Sequence, residues 1–106
     1  MRRTLIVARL DSADAGHVAE LFAESDRTEL PRLIGVSHRT LLSFHDLYFH
    51  LIESEQPVGP QIRRHSAHPL FADLSAKLSS YICPYDPAWS GPQDAIAAPF
   101  YHWPNE

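Results

Sequence analysis

The sequence is short of cysteine, glycine and basic charge, and it holds no long apolar run. Each shortage removes a class of protein. A single cysteine, Cys83, allows no disulfide within the chain, which suits a reducing compartment. Cys83 precedes Pro84 and has no CxxC partner, so a semi-buried structural thiol is expected rather than a nucleophile. Only four glycines occur, and none forms a phosphate-cradling loop. Nine basic side chains against thirteen acidic ones give a net charge of −4, the wrong sign for a nucleic-acid partner. No stretch approaches the roughly 20 apolar residues of a membrane span. Residues 4–10 are too short for the apolar core of a secretory signal. The expectation is a cytoplasmic chain with neither nucleic acid nor membrane as partner.

What is present suits one globular domain. The chain has 106 residues, near the usual domain size, and 44% of them are hydrophobic. Thr4 to Leu10 is apolar and β-branched, a buried strand. Acids at Asp11 and Asp14 then suit a helix start. Val18, Leu21 and Phe22 recur at helical spacing, predicting a helix over about 13–25. Pro31 marks a loop. Ile34-Gly35-Val36 opens a second extended stretch running to Phe44, and residues 47–52 form a third. His45-Asp46 between them reads as a tight hairpin turn. A short helix is expected near 60–66, and another from His68-Pro69 to about Ser80. Residues 98–103 read as a last strand at an edge, given Pro99. The order is β-α-β-β-α-β. The predicted class is α+β: a ferredoxin-like antiparallel sheet in a single domain over 1–106.

The hairpin carries the chemistry. A two-residue turn pairs Leu41 with His50, Ser43 with Tyr48 and Arg39 with Ile52. Arg39, Leu41, Ser43, Tyr48, His50 and Ile52 then share one face. Arg39 lies diagonal to His50, within reach of long side chains at ~7–8 Å. The other face carries Leu42, Phe44, Leu47, Phe49 and Leu51. Left open, an apolar face of that size predicts association, most economically as a homodimer joined sheet to sheet. The mixed face then looks toward the helices.

Each candidate has two readings. His50 is a general acid or base near working pH, or a core imidazole held by a local hydrogen bond. Arg39 stabilises a developing oxyanion, or pairs with a surface acid. Asp26 orients or charge-matches one of them, or is a solvated helix-end carboxylate. Tyr48, Phe22, Tyr101 and Trp103 wall a cavity for a flat ligand, or are core. Seven histidines invite a metal reading, but HxH, HxxxH and HExxH are all missing, so no metal site is expected.

Several strings resemble the tetracenomycin-type polyketide cyclase family. They are Ala13-Asp14-Ala15-Gly16-His17-Val18, Thr28-Glu29-Leu30-Pro31, Ile34-Gly35-Val36, Ser66-Ala67-His68-Pro69-Leu70-Phe71 and Phe100-Tyr101-His102-Trp103. Phe44-His45-Asp46-Leu47-Tyr48-Phe49-His50-Leu51-Ile52-Glu53 is the most specific. The resemblance spans nearly the whole chain. It implies a dimeric α/β barrel of ferredoxin-like subunits and cofactor-free ring closure on aromatic polyketides, in antibiotic or spore-pigment synthesis. It implies Asp26, Arg39 and His50 as catalytic residues; Ser25 beside them, and Leu41 and Tyr48 on the mixed hairpin face, are the expected substrate-binding residues. Where the family carries a histidine, this chain has Ser25, which leaves His50 as the sole imidazole of that pair. The implied partners are a polyketide intermediate from a type II synthase and a second copy of the chain. Two other activities fit the same residues: a cofactor-independent monooxygenase on a polycyclic phenol, and a non-catalytic polyketide-binding module.

Overall fold

The computed structural model describes residues 1–90 and 92–104. Strand β1 spans Arg2–Leu10. Asp11 caps the following 3₁₀ turn, its side chain accepting from the Ala13 N–H at 3.0 Å. Helix α1, Ala15–Ser25, turns Val18 and Phe22 inward. A short helix α2, Leu30–Ile34, precedes strand β2, Val36–Phe44, and strand β3, Leu47–Ser54. Helices α3, Val58–His65, and α4, Pro69–Leu78, follow, and then a two-residue strand β4, Ile82–Cys83. The sheet order is β2-β3-β1-β4, with every neighbour antiparallel. This is the ferredoxin-like arrangement expected from the element order.

The hairpin register is the one that the turn length predicts. Leu41 pairs with His50, Ser43 with Tyr48 and Arg39 with Ile52. His45 takes a positive φ of 55°, as the first residue of a primed two-residue turn requires. Along β3 burial alternates, and Tyr48, His50, Ile52 and Ser54 are the buried set. The opposite face stays open: Leu42 and Phe44 are exposed on β2. One irregularity escaped the alternation rule. A bulge between Val36 and His38 shifts the register by one residue. It brings Val36 opposite the buried Ser54, onto the same face as Arg39.

Four local expectations need correcting. Pro31 does not mark a loop; it occupies the first turn of α2, where its missing N–H costs nothing. Ile34 ends that helix, and Gly35 closes it in the left-handed region with φ 88°. The fourth strand is not residues 98–103. It is Ile82–Cys83, pairing with Leu10 and Arg9 at the sheet edge. Two residues before Pro84 are too few to show any periodicity. Beyond the single bridge of Ile96 to Ile6, residues 98–103 hold no strand, and Phe100, Tyr101 and Trp103 are exposed. Cys83, expected to be semi-buried, is exposed on that edge strand.

All four helices lie over one face of the sheet. The core falls into two clusters. Ala8, Leu10, Val18, Phe22 and Tyr48 form one, and Leu30, Ile34, Ile52, Val58 and Ile62 form the other. Leu74 of α4 packs against both. Yet α4 buries no residue completely. Its inner side chains meet a cavity instead of the sheet. No helix among the described residues is long and apolar enough to cross a membrane.

The Gly35 cap is testable. A β-carbon there meets no atom within 4 Å, so only backbone strain opposes it. Gly35→Ala should cost about 1–2 kcal/mol of unfolding free energy in urea titration, without changing activity per folded molecule.

Candidate functional site

Helix α1, strand β2 and strand β3 meet at one ionic chain. Phe22 and Asp26 are four residues apart, hence on one side of the turn that ends α1. Both address Arg39. The Phe22 ring lies 4.8 Å beneath its guanidinium carbon. The Asp26 carboxylate takes two hydrogen bonds, from Arg39 Nη2 at 2.8 Å and Nε at 3.1 Å. This is the two-pronged geometry that a planar guanidinium favours. The remaining arm, Nη1, lies 2.8 Å from His50 Nε2. His50 also sets its ring against Phe22, at 5.1 Å between centroids and 66° between planes. Asp26, Arg39 and His50 thus form one continuous hydrogen-bonded row running from the surface into the interior.

The row ends at a cavity of about 390 Å³ between the sheet and α4. That volume is within the range of small-molecule sites, about 300–1,000 Å³. Its walls are mainly apolar, including Ile6, Ile52, Phe71, Leu74 and Leu78. Among its described lining residues, Arg39, Tyr48 and His50 are the titratable ones, joined by the hydroxyls of Ser75, Ser79 and Ser90. The cavity therefore sets one titratable corner, Arg39, Tyr48 and His50, in a mainly hydrophobic shell. No group of three or more His, Cys, Asp or Glu side chains comes together for a metal among the described residues.

The corner perturbs its own groups. Burial, and then the Arg39 charge, lower the His50 pKa from 6.5 to about 3. Burial pushes the Tyr48 phenol well above its ordinary value, with Arg39 opposing only in part. Both groups are therefore neutral at ordinary pH.

The expected site residues divide. Arg39, Tyr48 and His50 line the cavity. Asp26 stands behind them, touching Arg39. Leu41 packs beside the first core cluster and is not a cavity wall. Ser25 faces a separate crevice of about 80 Å³, with Glu24 and Lys77. Phe22 does line the cavity, but Tyr101 and Trp103 are exposed away from it. Sequence reasoning missed Trp89, which lines the cavity from the irregular segment after β4. Arg9 holds that segment, its guanidinium 4.4 Å from the Tyr85 ring centroid. No periodicity marks such a loop. Its only sequence signal is a tryptophan among turn residues.

The sequence matches the family of polyketide synthesis cyclases over residues 2–104. The chain belongs to that family. Ring closure in polyketide biosynthesis is therefore its functional class. The cyclase is 46% identical to tetracenomycin F2 cyclase of Streptomyces glaucescens, over 95% of this chain and 93% of that one. It is 45% identical to the polyketide synthase CurG of Streptomyces cyaneus, over the full length of both. The solved structure of the tetracenomycin F2 cyclase, a type-II polyketide cyclase, superposes with a TM-score of 0.94 at 43% identity, covering all of both chains. A candidate antibiotic biosynthesis monooxygenase from Nitrosomonas europaea shares the fold at TM-score 0.54 and 8% identity, over 76% of this chain and 77% of that one.

The His50 environment makes a signed prediction. His50 stays neutral in the folded cyclase and gains a proton on unfolding below its ordinary pKa of 6.5. The unfolded state then binds more protons, so stability falls as pH drops. Relative to His50→Gln, the wild type should lose roughly 1 kcal/mol per pH unit below pH 6, as read from paired denaturant titrations.

Proposed function

We propose that this cyclase closes one ring of a poly-β-ketone by intramolecular aldol-type addition and then loss of water, without a cofactor. Antibiotic or spore-pigment synthesis is the setting. The observation that carries the reading is the cavity itself: an apolar enclosure whose polar corner is Arg39, Tyr48 and His50. A poly-β-ketone is reactive unaided. The catalyst's task is to choose which carbons meet, and a shaped enclosure does that by holding them together. His50 meets the reacting carbonyl. Arg39 supplies the positive field, and Asp26 holds Arg39 in place. Apolar walls exclude water, which strengthens these interactions.

The intermediate comes from a type II synthase in the cytoplasm. The working unit is a homodimer. Leu42 and Phe44 are exposed on the open face of the sheet, and Phe100, Tyr101 and Trp103 are exposed in the C-terminal segment. A second copy is the partner that covers this surface, because two such faces are self-complementary.

Product analysis tests the activity. Incubated with a matched minimal synthase, the wild type should shift the products to one regiospecific ring pattern. Arg39→Ala should lower that yield by about a hundredfold or more. Oxygen uptake with a polycyclic phenol would assign a monooxygenase instead. Tight polyphenol binding with unchanged products would assign a binding module. Separately, Phe44→Glu should convert the sedimenting species from dimer to monomer.

A further inference from the structure

The contact between Arg39 and His50 fixes where the imidazole proton sits. A guanidinium has N–H donors and no acceptor. Arg39 Nη1 at 2.8 Å therefore donates to His50 Nε2, which must offer its lone pair. A neutral ring with a bare Nε2 carries its proton on Nδ1. Nδ1 makes no hydrogen bond among the described residues, and neither does the Tyr48 hydroxyl. Neither is a fully buried orphan, since among the described residues no buried side-chain nitrogen or oxygen lacks a partner. Both belong to residues that line the cavity. Tyr48 and His50 are two apart on β3, so they share a face, and their ring centroids are 6.2 Å apart. The polar corner thus holds two N–H or O–H donors with no partner among the described residues, while the one imidazole lone pair is already taken.

Resting on the ring closure proposed above, we propose that His50 serves as a neutral hydrogen-bond donor and not as a base. Its Nδ1–H and the Tyr48 hydroxyl hold the ketone oxygen on which negative charge grows as the ring closes. Arg39, gripped by Asp26, keeps its positive field on the site and also locks this tautomer. The chemistry needs no protein base. A 1,3-dicarbonyl segment is readily enolised. The enol π pair forms the new carbon–carbon bond, and the ketone π pair moves to its oxygen. The O–H proton that the enol loses passes to the new alkoxide, so the addition balances without a base. Elimination of water then gives the conjugated ring.

The surroundings keep the donor neutral. Arg39 faces His50 from β2, the uncharged Phe22 from α1 and the neutral Tyr48 from β3. Leu41 and Ile6 flank it on the neighbouring strands. Asp26 acts only through Arg39. The low His50 pKa agrees with this arrangement.

Glutamine separates the two roles, because its amide donates an N–H but cannot act as a base. His50→Ala should lower the ring-closure rate by about 10²–10³-fold, as loss of an oxyanion donor does. His50→Gln should remain about tenfold or more above His50→Ala, and Tyr48→Phe should lose rate as well. The wild-type rate should show no inflection between about pH 5 and pH 8. Nitrogen-15 NMR of the wild type should show a protonated Nδ1 and a bare Nε2 throughout that range. Arg39→Gln should mix the two tautomers, a change that a merely structural role would not produce. A bare Nδ1, or a glutamine variant as inactive as the alanine one together with an inflection near pH 6–7, overturns the proposal. If the wild type closes no ring, the proposed function falls, and the NMR tautomer still decides the donor assignment.

Discussion

Arg39 reaches His50 because two residues, His45 and Asp46, turn the chain between β2 and β3. Side chains on a strand alternate, so the length of that turn sets which residues share a face. With two turn residues, Arg39, Tyr48 and His50 all look toward the helices. With three, Arg39 and His50 would point apart, and the row from Asp26 inward could not form. The turn is anchored where it must hold. Asp46 takes a 2.7 Å hydrogen bond from Arg9 Nη1, and its carbonyl accepts from the Leu10 N–H at 2.9 Å. The hairpin is therefore tied to β1 at the end nearest its turn.

Burial converts that geometry into chemistry. A solvated histidine titrates near neutrality, but His50 is shielded by Phe22 and the sheet and lies against a permanent cation. Both effects disfavour its charged form, so it is a neutral ring with one free donor. Arg39 can be half-buried because Asp26 balances it through two hydrogen bonds. Phe22 serves both as core and as a platform beneath the guanidinium. The same helix turn thus supplies a wall, a stacking surface and a counter-charge.

The fold was legible to the extent that periodicity is local. The α1 stripe, the hairpin and the His68-Pro69 helix start all depend on neighbours within a few residues, and each is where the pattern puts it. The short α2 was hidden because Pro31 breaks a helix in the interior yet suits its first turn. Strand β4 was hidden because two residues carry no alternation, while the apolar string at 98–103 imitated a strand. The bulge that turns Val36 toward the cavity leaves no mark on composition at all.

The candidate site divides along the same line. Residue order alone set the parity of Arg39, Tyr48 and His50, since alternation and turn length are properties of the chain. It also set Asp26 one helical turn from Phe22. Tertiary structure decided the rest. It chose Asp26 as the partner of Arg39, excluded Ser25 and Leu41 from the cavity wall, and brought in Trp89 from a loop far along the chain. It also fixed the proton on His50, because only the approach of a guanidinium to Nε2 selects between two tautomers that the amino-acid sequence leaves equivalent.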